Sequence, residues 1–223
     1  MLKVEGLNKS FHKKTILDNL SFNITQGEIV GLVGENGAGK STLLQILATT
    51  MKPTSGEILL GQRNYQREKA KIRKQIGFVP QDIAVWEQLT VEENMTFFEK
   101  LSWTKKSNAQ LKEIGQDMNL DRWKEPVKNL SGGMKRKLNL AISLIHDPSL
   151  LLLDEPTVGI DLKSRKEIGA YLRKQATDHN KTIIYTSHDM DEIQELCDRV
   201  ITIGEDSFYK NLLQEADKEV LSF

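Results

Sequence analysis

Residues 28–41 read EIVGLVGENGAGKS, and the passage from apolar to glycine-rich within this stretch decides the fold. Glu28–Val33 has the composition of a buried strand, near-continuous in apolar residues. It runs directly into GENGAGKS at 34–41, which fits G-x-x-x-x-G-K-[ST], and Ser41–Ala48 (STLLQILA) continues with helical spacing. Strand, glycine loop and helix in that order make a phosphate cradle. Glycine lets the backbone bend around phosphate oxygens without Cβ clashes. The backbone of Gly34, Glu35, Asn36, Gly37, Ala38, Gly39, Lys40, Ser41 and Thr42, with the helix N-terminus behind it, then faces the anion. Lys40 is expected on the β- and γ-phosphates of a nucleotide and the Ser41 hydroxyl on Mg²⁺.

A second strand end carries complementary chemistry. Leu150–Leu153 is wholly apolar and is followed at once by Asp154 and Glu155. Two adjacent carboxylates at the end of a buried strand are costly unless they have work to do, and strand ends are where α/β sheets bind ligands. Asp154 is expected to hold Mg²⁺ through water, and Glu155 to act on the attacking water as general base or positioner.

Outward from these two points the chain alternates. Short strands are expected over residues 2–30, with a turn at Gln26-Gly27, and further strands at 56–61, Ile76–Pro80, Thr182–Thr186 and Val200–Ile203. Helices are expected at Ser131–Ile145, 161–178 and Asp189–Cys197, and one short helix from about 211. Arg63–Gln75 is a basic stretch that reads as a solvated helix or loop. Between 82 and 130 the composition changes: all three tryptophans lie there, with helical patterns at Val91–Leu101 and Gln110–Met118. This segment is expected to be an inserted helical subdomain that continues into the next helix, to about 146, within one domain spanning 1–223. Alternating strands and helices indicate an α/β fold with a mostly parallel sheet.

The bulk numbers narrow the function. Lys+Arg and Asp+Glu both total 31, so the zero net charge gives no support for nucleic-acid binding. The single cysteine, Cys197, allows neither an intramolecular disulfide nor a thiolate metal cluster, which fits a reducing cytoplasm. No strictly apolar run exceeds four residues, whereas a membrane helix needs about 20. Action on a membrane would therefore run through a partner.

Residues 130–137, LSGGMKRK, supply a second anion site at a helix start. Ser131 suits the N-cap, Gly132 and Gly133 leave N–H groups accessible, and Lys135 and Arg136 are expected to back the site. With this motif in hand, the set GENGAGKS at 34–41, VPQ at 79–81, LSGGM at 130–134, LLLLDEP at 150–156 and TSHD at 186–189 resembles the ATP-binding subunits of ABC transporters over the whole chain. The run GGMKRKLNLAISLIHDPSLLLLDEPTVGID, with Met134 at the fifth signature position, looks most like the branch that exports drugs, antibiotics, peptide antibiotics or polysaccharides.

The resemblance implies a RecA-like P-loop NTPase core, an N-terminal antiparallel β region and the helical insert. It implies a head-to-tail dimer, of two copies or of paralogous subunits, with ATP and Mg²⁺ between one phosphate loop and the other subunit's Ser131, Gly132 and Gly133. Gln81 matches the glutamine that senses Mg²⁺ and the attacking water, and His188 the switch histidine near the γ-phosphate. Asp161 lies at the seam, where a helix N-cap role is equally open. Phe11 either stacks on adenine or packs at a strand end, and a phenyl face would suffice for stacking. Trp86 either anchors a helix of a separate polytopic permease or packs inside the helical subdomain, with Leu89, Val91 and Phe97 expected in the core. The 35 residues after His188 match no added regulatory domain, so contacts between subunits are expected mainly through ATP and the permease. The expected function is ATP hydrolysis driving export from the cytoplasmic face of the membrane, with no nucleic-acid partner. The alternatives are a soluble ABC ATPase or a sensor complex that moves no solute. Long coiled coils or a second ATP domain, which would favour the soluble class, are not seen.

Overall fold

The computed structural model describes residues 1–204, 208, 209, 213 and 219–223. Two sheets, seven α-helices with defined bounds and one 3₁₀ turn, Val127–Asn129, are seen among them. The first sheet is antiparallel and comes from the N-terminal quarter: β1 (Leu2–Phe11), β2 (Lys14–Ile24), β4 (Ser55–Leu60) and β5 (Arg63–Asn64), in the order β2-β1-β4-β5. Its wall is set by alternation, with Leu2, Val4 and Leu7 of β1 buried while Glu5 is exposed.

The second sheet holds the other strands. These are β3 (Ile29–Val33), β6 (Ile76–Val79), β7 (Leu150–Leu153), β8 (Thr182–Thr186), β9 (Arg199–Thr202) and β10 (Glu219–Ser222). They run in the order β10-β9-β3-β8-β7-β6, and every pairing is parallel. The inner strands β3, β7 and β8 are buried at every position, which is why they read as near-continuous apolar runs. Leu150 and Leu152 join Val30, Leu32 and Ile184 in a core shared with the antiparallel sheet and α1 (Lys40–Leu47). Leu151 and Leu153 face the opposite core, with Val33, Ile183 and Tyr185.

That second core is closed by α5 (Gly132–Ser143) and α6 (Leu162–His179), through Leu138, Ala141, Ile168 and Leu172. It extends to α3 (Val91–Leu101) and α4 (Asn108–Gln116), which lie between β6 and β7 in sequence. Both helices open with reciprocal capping: Thr90 with Glu93, and Ser107 with Gln110. The shorter α2 (Lys69–Arg73) and α7 (Met190–Leu196) complete the set.

Several expectations need adjustment. Phe97 is not core but 40% exposed, whereas Val91 is fully buried and Leu89 partly so. The basic stretch 63–75 is not uniformly solvated: Arg63–Asn64 pairs with β4, and Arg73 Nε donates to Thr49 Oγ1 at 2.8 Å. The short helix expected from about 211 falls mainly outside the described residues. Beyond it Glu219–Ser222 is a strand, aligned on Arg199–Thr202.

Candidate functional site

Four strands of the parallel sheet deliver the site at their C-terminal ends. The phosphate loop follows β3, Gln81 follows β6, Asp154 and Glu155 follow β7, and His188 follows β8. Because the four strands are adjacent in the order β3-β8-β7-β6, residues far apart in sequence meet along one edge.

The loop 34–39 holds a conformation that depends on glycine. Gly34 has φ near +148°, and a Cβ there would lie 2.2 Å from the Ile203 carbonyl oxygen. Gly39, the N-cap of α1, has φ near +113°, and a Cβ would meet Leu17 Cδ2 at 2.7 Å. Glu35, Asn36 and Gly37 are exposed, Ala38 is half-buried, Ser41 is exposed and Thr42 half-buried. Lys40 is buried, and its ammonium donates to the carbonyls of Gly34 at 2.7 Å and Glu35 at 3.0 Å. Burial lowers its pKa, against the opposing pull of the Glu155 and Asp154 charges. It is thus a cation drawn from water beside two carboxylates, a setting that suits a phosphate.

Glu155 is the hub of the acidic end. One carboxylate oxygen, Oε2, accepts from Gln81 Nε2 at 2.9 Å, and the other, Oε1, lies 2.7 Å from His188 Nε2. The three residues singled out for hydrolysis are therefore brought together. Asp154 is buried next to them. Ser41, Gln81 and Asp154 offer hydroxyl, amide and carboxylate oxygens, the hard donors that Mg²⁺ takes.

The second anion motif stands on α5. Ser131 is its N-cap, accepting from Met134 N–H at 3.3 Å, and Ser131 and Gly132 are exposed. Gly133 differs from expectation: it is buried against α6, where a Cβ would fall 2.2 Å from Ser164 Oγ. Its missing side chain serves close helix packing as well as any ligand. The two cations expected behind this motif turn elsewhere. Lys135 pairs with Glu87 at 2.5 Å, and Arg136 is buried and donates to the carbonyls of Gln81 and Val158. Arg136 thereby ties the segment carrying Gln81 to α5. Asp161 caps α6, accepting from Ser164 N–H at 2.9 Å and Ser164 Oγ at 2.7 Å, and these bonds lower its pKa.

Phe11 lies exposed at the end of β1, with the Lys9 ammonium 4.6 Å from its ring centroid. Trp86 is 57% exposed and meets Phe97 edge-on at 6.1 Å. Its backbone is held by Asn94, which accepts from its N–H at 2.8 Å and donates to its carbonyl at 3.0 Å. A groove of about 400 Å³ opens beside Phe97, lined also by Leu89, Glu93 and Lys100.

Two side chains not singled out from sequence complete the site. The Thr186 hydroxyl accepts from Glu155 N–H at 2.8 Å and lies 3.1 Å from Asp154 Oδ1. Glu192 Oε2 accepts from Thr157 Oγ1 at 2.9 Å and Ser187 Oγ at 2.7 Å, joining the segment after Glu155 to the one bearing His188. The position of Thr186 inside TSHD was the available signal.

The chain has similar proteins among known families, sequences and structures. A family profile described as ABC transporter matches residues 17–158, more than half of the chain. The chain is similar to the linearmycin resistance ATP-binding protein LnrL of Bacillus subtilis (strain 168), 41% identical over 203 residues, which covers 90% of this chain and 65% of LnrL. It is similar to the bacitracin transport ATP-binding protein BcrA of Bacillus licheniformis, at 34% identity, with all of this chain and 74% of BcrA covered. Among solved structures it resembles the dimeric post-hydrolysis state of the ATP-binding cassette MJ0796 bound to ADP and Pi. That likeness has a TM-score of 0.80 and 28% identity, and covers 91% of this chain and 94% of that one. The chain spans less than two thirds of the length of LnrL. Among the described residues no helix is long and apolar enough to cross a membrane.

Proposed function

The chain belongs to the ABC transporter family, and from that premise we propose that it hydrolyses ATP to drive export of a drug, antibiotic, peptide or polysaccharide through a separate membrane permease. The observation that carries the reading is the meeting of Lys40, Gln81, Asp154, Glu155 and His188 at the C-terminal ends of neighbouring strands, with Glu155 hydrogen-bonded to Gln81 and 2.7 Å from His188. The direction of transport and the class of cargo are supported by relatives named for linearmycin resistance and bacitracin transport.

The chemistry follows from the residues. Lys40 balances phosphate charge from a buried position, where Coulomb attraction is stronger than in water. Ser41, Gln81 and Asp154 would hold Mg²⁺, Asp154 through water, and the ion when bound would supply positive charge to offset that of the phosphates. Glu155 Oε1 or Oε2 takes the proton of the attacking water, and His188 donates toward the γ-phosphate. Phe11 offers its exposed ring to the adenine.

Ser131, Gly132 and Gly133 complete the site of a second subunit in an ATP-sandwich dimer, a reading supported by the dimeric cassette to which the chain is similar. Trp86, exposed beside the groove at Phe97, anchors a short helix of the permease on the cytoplasmic side of the membrane. The test is steady-state hydrolysis with Lys40→Ala. The variant is expected to lose ATP affinity and turnover, and wild-type turnover at micromolar ATP would overturn the phosphate-loop reading.

A further inference from the structure

We propose that Thr186 is a positioning residue for hydrolysis, its hydroxyl setting the backbone of Glu155 and the carboxylate of Asp154 together. The inference rests on the hydrolytic role given to Glu155 above.

Thr186 ends β8, the strand between β3, which carries the phosphate loop, and β7, which carries the acidic pair. It is 0% exposed. Its Oγ1 accepts the Glu155 N–H at 2.8 Å and lies 3.1 Å from Asp154 Oδ1 and 3.4 Å from the Leu153 carbonyl. A hydroxyl has one proton, and the charged, nearer carboxylate oxygen claims it. One buried group therefore accepts from the backbone of Glu155 and donates to the side chain of Asp154.

The need for such a bond is visible in the backbone. Glu155 has φ near +48°, the left-handed region that a non-glycine residue enters only against steric resistance. From that conformation its side chain reaches both Gln81 and His188. The hydrogen bond to Thr186 holds the N–H of this turn in place, and without it the turn can relax toward ordinary backbone and swing the carboxylate off both partners. If Thr186 served packing alone, valine, which has nearly its shape, would do as well. The hydroxyl is thus the atom on which the inference turns.

The experiment is steady-state MgATP hydrolysis by the full chain carrying Thr186→Val or Thr186→Ser, with Glu155→Gln and Glu155→Gln/Thr186→Val alongside. Thr186→Val is expected to lower kcat roughly 10- to 100-fold while KM for ATP stays within about twofold, since the phosphate loop is untouched. Thr186→Ser, which keeps the hydroxyl, is expected to restore most of the rate. Thr186→Val is expected to slow Glu155→Gln by a smaller factor than it slows the wild type, because part of the effect of Thr186 runs through Glu155. Wild-type kcat in Thr186→Val, equal losses in Val and Ser variants, or a double variant slowed relative to Glu155→Gln by the full factor seen in Thr186→Val would each overturn the inference. Should Thr186→Val fail to fold, Thr186→Cys carries the test, because a thiol is a weak acceptor. It is expected to lose kcat with KM kept, and a wild-type kcat there overturns the inference. An active Glu155→Gln would sink the underlying role of Glu155, whereas an inactive one beside a fully active Thr186→Val would sink the role of Thr186 alone.

Discussion

Replacing Glu155 by glutamine should separate binding from hydrolysis more cleanly than any other change at the site. The carboxylate accepts from Gln81 Nε2 at 2.9 Å on one oxygen, and its other oxygen lies 2.7 Å from His188 Nε2. Glutamine has the same shape and keeps one acceptor oxygen. Its new NH₂ group can be met by flipping the Gln81 amide or by the other tautomer of His188, so the local geometry survives. Lys40 and the loop 34–39 are not contacted by this side chain among the hydrogen bonds of the structure, so ATP affinity should hold. What is lost is the charge and the proton acceptor. General-base catalysis contributes about 10²- to 10⁴-fold, or roughly 2.7–5.4 kcal/mol of barrier. Phosphate release at saturating MgATP should fall by that factor, while nucleotide affinity measured by fluorescence stays near wild type. Gel filtration with ATP should show a dimer that persists because it cannot hydrolyse its ligand. A variant that turns over ATP within about twofold of wild type, against the loss expected of a general base, would refute the reasoning. So would one that loses affinity in proportion to rate.

Two further outcomes test the frame around the site. Gly133→Ala places a Cβ 2.2 Å from Ser164 Oγ and 2.6 Å from Ser164 Cβ; it should cost about 1–3 kcal/mol of stability by overpacking α5 against α6, read in urea unfolding. Glu28 is held by Arg199 at 2.6 Å and by the Thr25 N–H at 2.7 Å. Burial raises its pKa, but these partners together outweigh burial and lower it. Its stabilisation is then present above the ordinary carboxylate range and is lost as pH falls through the depressed value. Glu28→Gln should accordingly destabilise the protein by about 1–3 kcal/mol near pH 7, with the gap to wild type closing below roughly pH 4 in pH-dependent melts.

The parts of this molecule that were legible in sequence are those where local chemistry and position coincide. GENGAGKS needs glycine at Gly34 and Gly39 for backbone reasons alone, and the strand before it and helix after it are local patterns. The acidic pair after Leu150–Leu153 and His188 after Thr182–Thr186 follow from strand ends in a parallel sheet. The errors arose where a residue's direction is decided by packing. Arg136 was expected to back the anion site at the start of α5, yet every residue from Arg136 to Ala141 is buried, and Arg136 is spent on the carbonyls of Gln81 and Val158. Phe97 was read as core by its type, although Val91, Asn94 and Met95 define the buried face of α3 and Phe97 projects away from it. The terminal strand at Glu219–Ser222 depends on its pairing with β9, a long-range contact that four residues of mixed character do not announce. Thr186 was inside a motif already quoted, but its hydroxyl acquires meaning only when β7 lies alongside β8.

The central claim, that ATP turnover here drives a membrane partner, is tested most directly by affinity purification of the tagged chain from detergent-solubilised membranes, with mass spectrometry of what accompanies it. The account predicts a polytopic membrane protein in near-equal amount, lost when the exposed Trp86 is replaced by alanine. Recovery of only soluble partners, or of none, while ATPase activity persists, would contradict it.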